Sequence, residues 1–491
     1  MINFSLLPFF VALPLFSALI LNLIEKKPGY AYIVALGTTF LLSVLALLSP
    51  IATGTYYVGG YGSFAGITMM MDPFSRIILI MVQVLVFLAS WYSIGYMKHY
   101  TRKSRYFAFV LLMLAGMNGM ILTQDFFNLY VFIEIATLAS YVLVAYGGRS
   151  YELEASFKYL VLGSISSLFI LMGIALLYSQ TAALNMVIVA QRLDISHPIT
   201  WLIIVLFAAG FGLKSALFPF HSWLPDAHSS APAPISAILS GVLIKSVGIY
   251  VILRFFFNII GPEYAPLVLI SWLGAISSLV GVILAMGQHD IKRLLACHSV
   301  SQVGYIFIGI GLGSIWGLMG AILHMINHSA FKSLLFLNAG SIEHATGERD
   351  FFNMGGLKKR MPWTNITSFI GFSAIGGIPP LNGFWSKLIL IYACIHANQL
   401  LLALIIATVA IMTLTLFPKI QKYVFLGELP DKYHHVKEVP WSMIAPMLVL
   451  SAFCIGLGSI FVVPAWREAI LIPAINVLLN GSWFEAISYV P

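Results

Sequence analysis

Runs of about twenty apolar residues follow one another along almost the whole of this chain, and a helix of that length spans the hydrocarbon core of a bilayer. The stretch LVLISWLGAISSLVGVILAM is one such run, without a charge in it. Hydrocarbon offers no water to backbone N–H and C=O groups, so each continuous run must satisfy its own as a helix. Composition agrees. Only 9% of the 491 residues are charged, 60% are hydrophobic and the mean hydropathy is +0.95. An ordinary soluble domain carries about 25% charged residues. No polar stretch is long enough to bury a core of its own, so the expected fold class is an all-α polytopic membrane protein.

The runs number about fourteen at this length. They divide into residues 1–105 with three N-terminal helices, 106–257 with helices four to eight, 264–418 with helices nine to thirteen, and 441–491 with a fourteenth helix and a tail. The opening MINFSLLPFFVALPLF lacks the basic flank of a signal peptide and is expected to stay as the first helix. Loops after odd-numbered runs hold Lys26, Lys27, Lys98, Arg102, Lys103, Arg105, Arg149, Lys292, Arg293, Arg349, Lys358, Lys359 and Arg360, among others. Loops after even-numbered runs, with the tail, hold only Arg192 and Arg467. The positive-inside rule then puts the odd loops in the cytoplasm and both termini outside the cell membrane. The net charge of +8 is thus a topology signal rather than a sign of nucleic-acid binding. Cys297, Cys394 and Cys454 lie far apart, without metal or redox spacing. The nearest approach to a Walker motif, GFGLKS around Lys214, has the wrong spacing. No cofactor, metal site, nucleotide hydrolysis or electron transfer is expected.

Some charges fall inside the runs. Arg76, Lys158 and Arg254 lie nearer run ends, where a long side chain can snorkel to the interface. Lys214, Lys245, Lys332 and Lys387 are central, and so is one acid, Glu134 in VFIEIATLASY. Each central charge costs about 2.5–3.5 kcal/mol on insertion scales. Paired charges that fix helix packing would account for Glu134 with one lysine and leave three lysines over. A relay of titratable groups along a hydrated path accounts for all of them. Lysine suits such a relay because an amine taken out of water gives up its proton readily. In HMINHSAFK, His324, His328 and Lys332 recur every four residues and share one helix face, with Asn327 beside them. A metal held by HMINH lacks an evident third ligand, and Lys332 would repel it. His298, with Ser299, Ser301 and Gln302, adds polar lining or ordinary interhelical hydrogen bonds, and His221 and His228 in HSWLPDAH add further polar lining.

Two of these helices are interrupted. Pro219 follows Lys214 by five residues, and Gly376, Gly377, Pro379, Pro380 and Gly383 precede Lys387. Breaks in corresponding runs of two halves mark a transport site at the repeat interface. The broken runs are the seventh and the twelfth, an odd offset, so the two five-helix repeats are expected to be inverted.

The segments DFFNLYVFIEIATLASY, FPFHSWLPDAHSSAPAPISAILSGVLIKSVGIY, HSVSQVGY, HMINHSAFKSLLFLNAG and GGIPPLNGFWSK together resemble the antiporter-like proton-translocating family. That family comprises large membrane-arm chains of respiratory complex I, subunits of Mrp-type cation/proton antiporters, and their relatives in membrane-bound hydrogenases. The resemblance covers roughly residues 70–420 and is nearest to an Mrp D-type subunit or its hydrogenase counterpart, with the complex I N-type or M-type chain as an alternative. It implies that Glu134 pairs with Lys214 as a switch. It implies too that Lys245 lies on the central axis, that His328 and Lys332 continue it, and that Lys387 stands near the exit. The implied partners are protons, the lipid bilayer and other membrane subunits, further antiporter-like ones among them. An autonomous Na+/H+ antiporter is the rival reading. A structural scaffold is a third, against which the deep charges argue.

Overall fold

The structure, a computed structural model, describes residues 6–23, 28–49, 54–62 and 66–479. The N-terminal residues before 6, Lys26, Lys27 and the tail beyond 479 lie outside the described residues.

Helices form where the apolar runs were. In chain order they are α1 (Phe9–Leu23), α2 (Pro28–Leu47), α3 (Pro73–Tyr96), α4 (Lys103–Leu122), α5 (Phe126–Val144) and α6 (Ser150–Thr181). There follow α7 (Met186–Arg192), α8 (Pro198–Lys214), α9 (Trp223–Ser230) and α10 (Ala233–Ile259). The remainder are α11 (Leu267–Met286), α12 (Ile291–Gly311), α13 (Ile315–Thr346), α14 (Pro362–Gly376), α15 (Asn382–His396), α16 (Leu400–Phe425), α17 (Trp441–Val462) and α18 (Ile472–Leu479). Among the described residues, ten helices are long and apolar enough to cross a membrane. α1 and α8 are apolar but shorter, and the broken α14–α15 pair and the polar-striped α13 stand outside that ten.

Polar residues at the run boundaries set the helix starts. Asp125, Asp290 and Ser314 each accept a hydrogen bond from a backbone N–H in the first turn of α5, α12 and α13, satisfying a donor that the helix itself leaves orphaned. Asp72 and Ser75 cap α3 reciprocally at 2.8 Å each way. Just before it, Gly54–Tyr57 and Thr68–Met71 form a two-stranded antiparallel hairpin, with Gly54 opposite Met71.

The centre of the bundle is α10, α12 and α13, while α6 and α16 lie at its periphery. α11 and α12 approach backbone to backbone. A Cβ built on Gly274 would stand 2.7 Å from the Gly304 carbonyl oxygen, so only glycine fits that crossing, as small residues do where membrane helices meet closely. α10 is unusual: Leu239–Leu243, Lys245–Tyr250 and Arg254–Ile259 are wound as π-helical turns. Such wide turns are rare and concentrate at functional sites.

Three expectations need correction. Arg254 does not snorkel. It is buried, and its guanidinium grips both oxygens of buried Asp72 at 2.7 and 2.6 Å, because the Asp72 carboxylate, brought in by the α3 cap, gives it a partner inside the protein. Lys292 is not a loop residue but sits in the first turn of α12, buried, because the Asp290 cap starts that helix earlier than the apolar run does. Finally, α13 and α16 continue past the apolar runs to Thr346 and Phe425. Pro418 is carried within α16, as membrane helices tolerate where neighbours satisfy the freed carbonyl. Lys158 does lie at the surface, beside Glu154 and Asp226 at 2.8 and 3.2 Å.

Candidate functional site

The site begins at the first helix break. α8 ends at Lys214, and the chain turns through 215–222 before α9 resumes. Lys214 is buried, and its Nζ has no hydrogen-bond partner among the described residues. Glu134 reaches toward it from α5, with Oε1 3.9 Å from the ammonium. That is an ion pair without a hydrogen bond. The Ser167 hydroxyl, on α6, donates to the same carboxylate oxygen. The glutamate side chain is 26% exposed and the lysine 2%, so the acid faces outward and the amine inward.

Deeper in, Lys245 is fully buried on α10, and its Nζ donates to the Ser240 carbonyl at 2.5 Å. That carbonyl belongs to the π-helical stretch, and Ser240 Oγ meets Ser299 Oγ of α12 at 2.9 Å. The next amine is Lys332 on α13. It donates to the Leu295 carbonyl of α12 at 2.6 Å. His328 lies one turn before it, fully buried, with neither ring nitrogen hydrogen-bonded among the described residues. His324 follows along the same face: its Nδ1 meets Ser386 Oγ of α15 at 2.9 Å, and its ring stacks on His328 with centroids 6.2 Å apart.

At the second break, α14 stops at Gly376, and Gly377 takes a left-handed φ of +84° before α15 restarts at Asn382. Lys387 projects from α15 back to the break and donates to Ile375 O at 2.6 Å and Gly376 O at 3.3 Å. Asn327 Nδ2 ties α13 to the same place through the Asn382 carbonyl at 2.8 Å.

The structure therefore brings Lys245, His328, Lys332, His324 and Lys387 into one buried core, with Glu134 and Lys214 at one flank. Of the accessory histidines, His298 joins from α12, with Nε2 3.0 Å from Thr413 Oγ1. His228 is fully buried on α9, without a hydrogen-bond partner on either ring nitrogen among the described residues. His221 lies apart, in the α8–α9 turn against Phe218 and partly exposed. Three of the four central lysines are held by backbone carbonyls. A single ion pair, Lys214 with Glu134, joins them to an acid among the described residues. Sequence reasoning missed the Asp72–Arg254 pair and Lys292. An aspartate two or three residues ahead of a run's first basic residue was the signal for Lys292, since such an aspartate caps a helix that already includes the lysine.

Fold and site together define a polytopic helical membrane protein built around a buried row of amines and imidazoles. Residues 123–413 match the profile of the NADH:quinone oxidoreductase/Mrp antiporter membrane family, and residues 62–107 that of the complex I chain 5 N-terminus. The chain belongs to this family. It is 34% identical over 473 residues to the N-type subunit of the NADH-quinone oxidoreductase of Desulforudis audaxviator, covering 91% of this chain and 94% of that one. It is 35% identical over 405 residues to the D-type subunit of the Na(+)/H(+) antiporter of Alkalihalophilus pseudofirmus, covering 82% of each. Its fold matches a chain of the Mrp complex from Dietzia sp. DQ12-45-1b with a TM-score of 0.90 at 27% identity, over 99% of this chain and 100% of that one.

Proposed function

We propose that the chain is the proton-translocating, antiporter-like subunit of a multisubunit membrane complex. The observation that carries this is the buried row itself. Lys214, Lys245, Lys332 and Lys387 sit in the protein interior with His324 and His328 between them, and several of their nitrogens have no partner. A buried polar group without a partner costs free energy that water or a shared proton removes. The axis runs from the Glu134–Lys214 pair through Lys245, His328 and Lys332 to Lys387. The loose 3.9 Å pair is its switch. With Glu134 near, Lys214 keeps its proton, and when a neighbouring charge draws Glu134 away, Lys214 releases it inward.

In this reading the helices form fourteen membrane crossings, the broken α8–α9 and α14–α15 counting as one each. Residues 106–257 and 264–418 are inverted repeats, the basic loops face the cytoplasm and both termini lie outside. Further antiporter-like subunits stand beside it in the complex. Coupling to Na+, as in the relative named for it, is the second reading. The single central carboxylate offers few of the oxygen ligands that a hard cation prefers.

Reconstitution of the assembled complex into vesicles, with a pH-sensitive dye on one side, tests the reading. Proton flux that survives loss of Glu134, Lys245 and Lys332 one at a time would refute it, and cation flux without proton flux would favour Na+.

A further inference from the structure

The end of the bundle that carries the basic loops holds a polar chamber outside the row described above. Lys292, in the first turn of α12, has a side chain 3% exposed. Its Nζ donates to the Ala231 carbonyl at 2.6 Å and lies 3.6 Å from Glu343 Oε2 on α13. That oxygen is buried and accepts no hydrogen bond from the described residues. Glu343 and Lys292 line a cavity of about 190 Å3 with His99, Glu152 and His344, room for several waters at about 30 Å3 each. A wider vestibule of about 610 Å3 adjoins it, walled by Lys158, Asp226, Arg293 and Arg349, and Tyr151 and Ser230 border both spaces.

Lys292 shares α12 with Leu295, whose carbonyl holds Lys332 of the row. The Ala231 carbonyl also accepts from Ser236 Oγ at 3.2 Å, and the same hydroxyl reaches the His228 carbonyl at 2.7 Å. The buried His228 ring has two unused nitrogens. Lys332 is tied to Leu295, one turn along α12 from Lys292. Lys292 thus stands between that chamber and the backbone carbonyl of Ala231, which Ser236 Oγ joins to the His228 carbonyl.

We propose that the Lys292–Glu343 pair is the site at which protons are loaded onto the row from the face bearing the basic loops. This rests on the relay reading above. A proton from chamber water adds to the Glu343 carboxylate and breaks the ion pair. The Lys292 ammonium then gives one proton inward through intervening water, and the His228 ring, whose nitrogens are both open among the described residues, takes it up as an imidazolium. The Glu343 carboxyl then returns its proton to the Lys292 amine, and the pair is restored. One proton has moved from chamber to row, and no co-reactant is needed.

The test uses the assembled complex in vesicles. Glu343→Gln should slow translocation roughly a hundredfold, the scale of a lost proton donor, with assembly on a native gel unchanged. Glu343→Asp should restore most of the flux. Formate, a small weak acid able to enter the chamber, should rescue the Gln variant when added on the basic-loop face and not on the other. Wild-type flux in Glu343→Gln overturns the proposal. So does a slow Gln variant that neither Asp nor formate restores, since that marks a structural role. A wild-type complex without proton flux overturns the relay reading itself, and the loading site falls with it.

Discussion

Lys387 donates to two carbonyls freed by the α14–α15 break, so it serves the broken helix as well as the proton path proposed above. The two roles separate on substitution. Lys387→Met keeps the apolar stem and loses the proton site. It is expected to assemble on a native gel and to translocate roughly a hundredfold more slowly. Lys387→Glu, carrying a proton as a carboxyl, can still donate to Ile375 O and should retain measurable flux. Normal dye response in a well-assembled Lys387→Met complex would rule out the role on the path. At the other end, Glu134→Ala should stop translocation while leaving assembly largely intact. Glu134, Lys214, Lys245, Lys332 and Lys387 were all legible as charges inside apolar runs. The Glu134–Lys214 pairing came with the family resemblance, but the partners of Lys245, Lys332 and Lys387 were not legible, because a hydrogen bond to a backbone carbonyl leaves no mark on residue type. Lys245 on Ser240 O and Lys332 on Leu295 O could not be read from side chains at all.

Helix breaks at Pro219 and at Gly377–Pro380 were readable because proline lacks a backbone donor and clustered glycines and prolines interrupt the ladder, although a lone Pro418 is carried within α16. The π-helical turns of α10 were not. Their residues, LSGVLIKSVGIY, have ordinary helix periodicity and carry no mark of the wider winding. Lys292 shows the same limit from the other side: hydropathy places it in a loop, the Asp290 cap places it in a helix. Where α11 crosses α12, the close contact sets a prediction. A Cβ at position 304 would meet the Ser278 backbone nitrogen at 2.6 Å. Gly304→Ala should therefore cost about 1–3 kcal/mol through overpacking, read as a lower unfolding temperature of the purified complex. An unchanged temperature would mean that the two helices can part at that point without loss.

For the molecule as a whole, the orientation in the membrane is open to direct measurement. Cys297, Cys394 and Cys454 are all buried, so one introduced thiol reports its own position. Ser104 is buried and unsuitable, whereas Thr101 and Lys359 are exposed. Thr101→Cys and Lys359→Cys should react with an impermeant maleimide only from the cytoplasmic side, and labelling from outside would invert the arrangement. The Asp72–Arg254 pair joins α3 to α10, and Asn258 Nδ2 ties α10 to α18 through the Val477 carbonyl at 2.9 Å. Asp72→Asn leaves a buried guanidinium without its counterion and should cost roughly 3–5 kcal/mol. The carbonyl tethers of Lys245, Lys332 and Lys387 have a consequence at the same scale. An ammonium has three hydrogens and a neutral amine two, so either can hold a single carbonyl acceptor. Each of these amines can lose its charge and keep its anchor. On the proposed path the medium would then have little to rearrange when a charge passes, and the interior could stay a stiff conductor with movement confined to its two ends.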